Sequence, residues 1–329
     1  MEVGETRDKL ETKEIEDFIE KHHVVYVRHN MDTTVSVYQE LISNGLIAVH
    51  YGERLKRDVD SKNLKNHENP ENYEDKYARY VLNRLSYYCE TGAIVFADYS
   101  ESLSKSIKKA VNIGVIPEGK QYEAKRYYGH EKYPEGFVYK QVELSNYITL
   151  GYADFAPFLA IHPRGGTVIH WDAEKPVKFI YKRELGLPID TKSLDVEVLF
   201  PAQQEVLCSE YLRTKASNEI RLKHLLLPVG RGMKTVDIDG VSETKRLFAQ
   251  VSFTKNENKI KGKIADLEDL AEGYHGSKEL VLVYFGAIGS EKYVHHFAPD
   301  IRFVSLDEVF KAMKETGILS DMLQLKLAL

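Results

Sequence analysis

The chain has 329 residues, which favours two domains over one because a domain typically takes about 100–200 residues. Hydrophobic residues make up 43% and charged residues 29% of it, a composition typical of globular proteins and unlike that of disordered chains. With 45 basic and 50 acidic residues, the formal charge is −5. This charge excludes a uniformly basic nucleic-acid coat but not a local basic cleft.

The cysteine content and the apolar stretches indicate a cytoplasmic protein that has no membrane as a partner. The two cysteines, Cys89 and Cys208, are too few for a disulfide framework or a four-thiolate zinc site. The N-terminus is charged where a secretory signal would be apolar. The most apolar stretches, such as residues 280–289, are about half as long as the roughly 20 residues that cross a bilayer.

Residues 1–195 are predicted to form a mixed α+β, small-barrel-like domain. After an N-terminal helix, the predicted elements are strands at 23–28, 46–51, 92–99 and 109–119, helices at 33–44 and 69–91, and further alternating segments at 137–147 and 167–181. Several short strands joined by long polar loops favour a small barrel with helices at its edge. Glycine, proline and aspartate interrupt the chain over residues 184–201, which suggests that the first domain ends there.

Residues 196–329 show a more regular order of elements. We predict helices at 201–214, 259–274, 291–297 and 306–316, and strands at 223–229, 235–241, 246–253, 279–285 and 301–304. The order is therefore α-β-β-β-α-β-α-β-α. The predicted fold class is α/β (α+β), with a mixed sheet flanked by helices in this second domain.

Acidic and amide side chains lie on two neighbouring strands of that order. Because side chains alternate along a strand, Asp237 and Asp239 project to one side of the predicted sheet. If residues 242–245 form the turn of a hairpin, Asp239 lies near Gln250. A carboxylate and an amide oxygen are hard ligands suited to Mg²⁺. A plain turn is the competing interpretation, which we favour for Asp237 but not for Asp239.

The sequences VDIDG and AQVSF on these strands resemble the PD-(D/E)XK nuclease superfamily, and within it the Mrr-type restriction endonucleases, whose strands read G-x-D and then Q-x-K. The resemblance covers about residues 201–313 and implies a restriction-endonuclease-like fold that uses Mg²⁺ or Mn²⁺. It implies that Asp239 binds the metal, with Asp237 as the second choice, and that Gln250 is the Gln of Q-x-K. A Glu from the leading helix often completes the site in that family, which indicates Glu205.

The sequence departs from that family at the lysine of Q-x-K, where Ser252 stands. A serine hydroxyl carries no charge with which to orient a nucleophilic water or stabilise a phosphate. Lys255, which follows on the chain, or Lys234, which precedes the Asp strand, is a candidate replacement. The alternative is that the site has lost cleavage and retains only binding.

Two further features concern nucleic-acid contact. Lys259, Lys261 and Lys263 form a basic run directly after the candidate strand, where they would either contact phosphates or simply solvate the start of a helix. Trp171 is the only tryptophan and is our candidate for a pocket that stacks a base. The strand pair GAIVFADY and VNIGVIPEG loosely resembles strands of PUA-like barrels, the fold class of EVE and YTH readers, although most aromatic residues of this half are expected to be core.

Other chemistries lack their sequence signals. There is no GxxxxGK[ST] phosphate loop, no GxGxxG after a strand and no GxSxG elbow. His22–His23 and His295–His296 are adjacent pairs, whose side chains point apart along a strand or helix, so neither is a ready zinc site.

These observations leave three functional hypotheses. The first is a DNA-directed, metal-dependent endonuclease. If the N-terminal domain is a reader of modified bases, this endonuclease would cut modified DNA. The second keeps the fold but only binds nucleic acid, because Ser252 replaces lysine. The third is an interaction protein of a defence system, without chemistry. Many nucleases of the resembled family act as dimers to cut both strands, so a homodimer is an alternative to a monomer.

Overall fold

The computed structural model describes residues 10–29, 33–51, 55–99, 109–151, 154, 163, 165–190, 193–222, 226–228, 236–317 and 319. The chain divides into two compact units, Met1–Ile189 and Asp190–Leu329. The sequence-based boundary after residue 195 lies a few residues further along the chain. Within the described part of the chain, no helix combines the length and apolar character that a membrane span requires.

The N-terminal unit alternates helices and short strands. In chain order its elements are α1 (Thr12–Lys21), β1 (Val24–Arg28), α2 (Val35–Ser43), β2 (Leu46–Val49), α3 (Lys76–Thr91), β3 (Ala93–Asp98), β4 (Ala110–Ile116), β5 (Glu123–Tyr127), β6 (Phe137–Glu143), β7 (Ser145–Gly151), β8 (Val168–His170) and α4 (Glu174–Glu184). Helix α3 begins where the Asp75 side chain accepts hydrogen bonds from the backbone N–H groups of Tyr77 and Ala78. It ends at Gly92, whose φ of 76° suits glycine.

The strands of this unit form two sheets. One has the order β7-β4-β3-β1-β8, with β1 parallel to β3 and the other neighbours antiparallel. The other has the order β2-β6-β5 and is antiparallel. The described strands therefore do not close into a single barrel, and the expectation of a small barrel is corrected. Alternation of apolar residues along a strand predicts which face is buried, but not which strands pair.

Two segments of the N-terminal unit differ from the sequence-based prediction. Residues 137–147 contain all of β6 and the start of β7, which are separate strands joined by a short connection. Residues 167–181 contain only the short strand β8 and then most of helix α4. The helix forms because Val177, Ile180 and Tyr181 are spaced to bury one stripe, which is a helical period and not a strand period.

The C-terminal unit has the predicted order of elements, which is confirmed. It contains α5 (Pro201–Arg213), β9 (Leu226–Pro228), β10 (Ile238–Val241), β11 (Lys245–Ser252), α6 (Glu257–Glu272), β12 (Glu279–Gly286), α7 (Glu291–Phe297), β13 (Arg302–Ser305) and α8 (Leu306–Glu315). The strand order is β13-β12-β11-β10-β9. Strands β9, β10 and β11 are antiparallel, whereas β11, β12 and β13 are parallel, so the sheet is mixed.

Helices cover both faces of this sheet. Leu247, Ala249 and Val251 of β11 belong to a core formed with α5 and α8. Phe248, which alternates with them, belongs to a second core formed with α6 and α7. Even-numbered residues of β11 therefore face α6, and this alternation determines which side chains α6 can reach.

Candidate active site

The pairing of β10 with β11 determines which aspartate lies beside Gln250. Asp239 lies opposite Phe248 in the register. One step further along, the N–H of Asp237 donates to the carbonyl oxygen of Ala249 at 3.0 Å. Directly opposed residues of an antiparallel pair share a face. Asp237, not Asp239 as the sequence analysis expected, is therefore the neighbour of Gln250.

Asp237, Gln250 and Lys263 form one hydrogen-bonded cluster. The ammonium group of Lys263 donates to Oε1 of Gln250 at 2.7 Å and to Oδ2 of Asp237 at 3.3 Å. The backbone N–H of Val251 donates to the same Oδ2 at 2.7 Å. Gln250 is only 2% exposed. The carboxylate of Asp237 and the amide oxygen of Gln250 thus converge on the single positive charge of Lys263, near the C-terminal end of β11.

Helix α6 delivers Lys263 to this cluster from its buried side. The side chain of Asn256 caps the helix by accepting from the N–H of Lys259 at 3.1 Å. Ile260 and Ile264 are buried on the face that packs on the sheet. Lys263 lies three residues after Ile260 and next to Ile264, so it shares that face. The prediction grouped Lys263 with Lys259 and Lys261, and spacing alone does not separate them, because Lys261 lies three residues before Ile264.

Asp239 forms a separate ion pair. Its Oδ2 accepts from Nη2 of Arg246 at 2.5 Å, and Asp239 is 7% exposed. Burial raises the pKa of Asp239, while the neighbouring Arg246 guanidinium acts in the opposite direction. Oδ1 of Asp239 is buried and has no hydrogen-bond partner among the described residues. Asp239 is thus paired through one carboxylate oxygen, Oδ2, and its assignment as a metal ligand stays a prediction.

Glu205 lies on α5, which packs on the opposite face of the sheet from α6. It is half-buried. Burial is the main reason why the pKa of the Cys208 thiol is raised well above its ordinary value, and the carboxylates of Glu205 and Asp237 raise it further. Among the described residues, however, Glu205 and the two aspartates do not form a group of three converging metal ligands.

The other catalytic candidates lie around the cluster. Ser252 is half-buried and, two residues after Gln250, is on the same face of β11. Lys255 is exposed in the loop before α6. Lys234 lies outside the described residues. The lysine that contacts both Asp237 and Gln250 is therefore Lys263, which the sequence analysis assigned to phosphate binding.

The remaining nucleic-acid candidates divide into exposed and buried residues. Lys259 and Lys261 are exposed, and Nζ of Lys261 lies 5.5 Å from the ring centroid of Phe297. Trp171, in the N-terminal unit, is 5% exposed and packs against Tyr26 and Phe96, with ring centroids 5.3 and 5.0 Å away. This burial leaves no face of the indole open for stacking a base.

The cluster has the donors that a hard divalent cation requires. Mg²⁺ and Mn²⁺ prefer carboxylate and carbonyl oxygens, and Asp237 and Gln250 offer one of each. These two oxygens already converge on the cationic group of Lys263. The donor chemistry of Asp237 and Gln250 therefore fits such an ion, while Glu205 lies on the helix that covers the opposite face of the sheet.

Comparison with known proteins leaves the family of the chain open. No protein-family model and no curated protein gives a match to the sequence. A solved structure described as "MspJI Restriction Endonuclease in Complex with 27-mer Oligonucleotide" aligns over 93% of this chain and 80% of that chain, with 11% sequence identity and a TM-score of 0.21.

Proposed function

We propose that the unit Asp190–Leu329 hydrolyses phosphodiester bonds of DNA with a divalent metal ion, Mg²⁺ or Mn²⁺. The observation that carries the proposal is the convergence of Asp237, Gln250 and Lys263, in which Nζ of Lys263 lies 3.3 Å from Oδ2 of Asp237 and 2.7 Å from Oε1 of Gln250. The resemblance of VDIDG and AQVSF to PD-(D/E)XK nucleases supports it, because that family uses an acid, an amide or acid, and a lysine.

Each residue of the cluster would have a different role in hydrolysis. Asp237 and Gln250 would hold the metal ion through their oxygens. When bound, such an ion activates a water molecule and neutralises negative charge on a phosphate. Lys263 would place its positive charge next to the phosphate. That charge stabilises the transition state, in which water adds to phosphorus while one P–O ester bond breaks.

Lys263 replaces the lysine that the resemblance leads one to expect at Ser252. A cationic group that approaches from α6 can serve the same electrostatic purpose as one on β11, because stabilisation depends on where the charge lies and not on which element carries it. Its distance of 2.7 Å from Gln250 places the charge at the cluster. This replacement supports an active site over an inactive one.

A second candidate function is binding of nucleic acid without cleavage. Its support is that Oδ2 of Asp237 already accepts from Lys263 and from the N–H of Val251. A carboxylate oxygen that already accepts two hydrogen bonds within the protein requires no metal to satisfy it. In this alternative the cluster is a structural ion pair, and the exposed Lys259 and Lys261 contact phosphates.

We assign recognition of DNA, including modified DNA, to the unit Met1–Ile189. Its support is an exposed row of tyrosines on α3, Tyr77, Tyr80 and Tyr87, which are 45%, 54% and 58% exposed. Arg84 lies in the same row and stacks over the ring of Tyr80, with 5.6 Å from its guanidinium carbon to the ring centroid. Aromatic rings with arginine suit stacking of unpaired bases. We also propose a homodimer, because two copies of the chain would supply one active site for each strand of the DNA.

Plasmid nicking tests the proposed function. Supercoiled plasmid in unmodified, methylated and hydroxymethylated forms is incubated with the full chain and Mn²⁺ or Mg²⁺, and EDTA serves as the metal-free control. We expect wild type to nick at least one of the three forms and Asp237→Asn to nick none. Asp269→Asn, a matched change at an exposed position of α6, should nick like wild type.

The alternative function predicts a different result in the same assay. Binding of DNA without nicking of any plasmid, in either metal, would reject hydrolysis in favour of the binding module. Equal nicking by wild type and Asp237→Asn would reject the assignment of Asp237 as a metal ligand.

A further inference from the structure

Two histidines and a glutamate meet on the surface of the N-terminal unit. His23 precedes β1, His170 ends β8, and Glu174 begins α4. One ligand atom from each lies within 4.8 Å of the others. Nδ1 of His23 is 2.6 Å from Oε1 of Glu174, and the imidazole rings of His23 and His170 have centroids 5.1 Å apart. Residues from three different elements thus present three ligands at one point.

The local fold explains why these side chains point outward together. Strand β8 pairs antiparallel with β1, with His170 opposite Val25, so His23 and His170 are diagonal neighbours on one face. Trp171 points the opposite way into the core and fixes the direction in which His170 projects. Two residues after His170, Asp172 lies on the same side, with its Oδ1 3.9 Å from Nε2 of His170.

The geometry points to a binding site for a first-row transition-metal dication such as Zn²⁺, formed by His23, His170 and Glu174. Two imidazoles with carboxylate oxygens are a donor set that Zn²⁺ accepts and that Mg²⁺ does not favour. Donors of a tetrahedral zinc site lie about 3.4 Å apart, which follows from metal–ligand bonds of roughly 2.1 Å.

The site can reach this spacing through small movements of exposed side chains. His23 Nδ1 and Glu174 Oε1 are closer than zinc ligands would be and would have to separate. The His23 side chain is 72% exposed, so its ring can turn without disturbing the core. Glu174 is held in place, because Nζ of Lys178 lies 3.5 Å from its other oxygen, Oε2. Partners of this kind, which orient a ligand from outside, support metal sites.

Metal binding would connect β1, β8 and α4. The short strand β8 lies at the edge of the five-stranded sheet, and its register with β1 covers Val168–His170. A metal ion that bridges His23 and His170 would fasten this edge strand to its neighbour. Because it binds only the folded arrangement, it would also raise the melting temperature by mass action. The inference is independent of the nuclease proposal, which uses a different unit and a different metal class.

Titration of the metal-free full chain tests the site. Calorimetry with Zn²⁺ should give one site, and Co²⁺ should give the visible absorption of a metal bound by nitrogen and oxygen. The two test variants are His170→Ala and Glu174→Gln. The control is His275→Ala, which changes an exposed histidine of the other unit. Loss of an outer partner typically weakens metal affinity about 10–100-fold, and loss of a ligand should weaken it at least as much.

The inference predicts that His170→Ala and Glu174→Gln lose the Zn²⁺ site and its thermal shift, while His275→Ala keeps both. Zn²⁺ affinity that is unchanged in His170→Ala would overturn the site. Equal weakening in His275→Ala, or binding of Mg²⁺ as tight as that of Zn²⁺, would overturn it as well. The readouts are binding and melting temperature, so an inactive nuclease site would not affect them.

Discussion

The ammonium group of Lys263 lies 2.7 Å from Oε1 of Gln250, so a residue of α6 brings a positive charge to the strand position next to Ser252. The same group is 3.3 Å from Oδ2 of Asp237. Strand β11 itself has no lysine at this point. The helix therefore supplies the charge that the resemblance to PD-(D/E)XK nucleases places on the strand.

Asp237 and Asp239 should respond differently to metal. We expect Mn²⁺ to raise the melting temperature of wild type by mass action, and Asp237→Asn to abolish that shift because it removes the charged ligand. Asp239→Asn should keep the shift but lower the free energy of unfolding by about 1–2 kcal/mol, because Arg246 loses its charged partner. Differential scanning fluorimetry with and without Mn²⁺ measures both. A shift that survives in Asp237→Asn and disappears in Asp239→Asn would reverse the two roles.

Lys259 and Lys261 should differ in their contribution to DNA binding. Lys259 lies one helical turn before Lys263 and on the same side of α6, whereas Lys261 packs beside Phe297. Each lost phosphate contact lowers the slope of log K against log salt by about one. We therefore expect Lys259→Gln to flatten the slope by about one and Lys261→Gln to change it less, as measured by fluorescence anisotropy. Wild-type slopes in both variants would mean that neither lysine contacts phosphate.

Buried Lys140 should make the stability of the N-terminal unit depend on pH. Burial lowers the pKa of Lys140 from 10.5 to about 7, and its Nζ lies 5.3 Å from the ring centroid of Tyr73. Between pH 7 and 10.5 the unfolded chain binds more protons than the folded chain. The free energy of unfolding therefore rises with pH in this range, and this gain is lost as pH falls towards 7. Relative to Lys140→Met, wild type should gain roughly 3 kcal/mol between pH 7 and 9.5.

Tryptophan fluorescence during urea unfolding can measure this effect. Trp171 is the only tryptophan and is buried in the N-terminal unit, so its emission reports on that unit. Because Lys140→Met removes the cost of burying an amine, it should also be more stable than wild type at pH 7. Lys62→Met, at an exposed position, should follow wild type at every pH. If wild type and Lys140→Met have parallel pH profiles, the buried amine does not titrate in this range.

The sequence predicts the C-terminal fold well because apolar residues recur in its elements with the spacing typical of a helix or a strand. The stripe of Ile260, Ile264 and Leu267 identifies α6, and the apolar run of β12 identifies a buried strand. In the N-terminal unit, period alone was misleading at residues 167–181, where a short strand runs into a helix. Pairing of strands is a long-range property, and the alternation within each strand does not encode it.

The candidate site was predictable in its strands but not in its contacts. The turn between β10 and β11 joins Ser242 to Lys245, with the N–H of Ser242 donating to the carbonyl of Lys245 at 2.8 Å. That turn fixes the register and places Asp237, and not Asp239, beside Gln250. The approach of Lys263 depends on how α6 packs on the sheet, which no local pattern specifies. The same holds for His23 and His170, which are far apart in sequence and meet only through strand pairing.

The rate of Mn²⁺-dependent nicking by Lys263→Met tests the central claim most directly. Loss of an electrostatic group that acts on the transition state typically costs about 10²–10³-fold in rate. We predict a loss of this size for Lys263→Met, partial recovery when Ser252→Lys is added to it, and a wild-type rate for the control Lys261→Met. Nicking by Lys263→Met at the wild-type rate would contradict the assignment of Lys263 as the cation of the site.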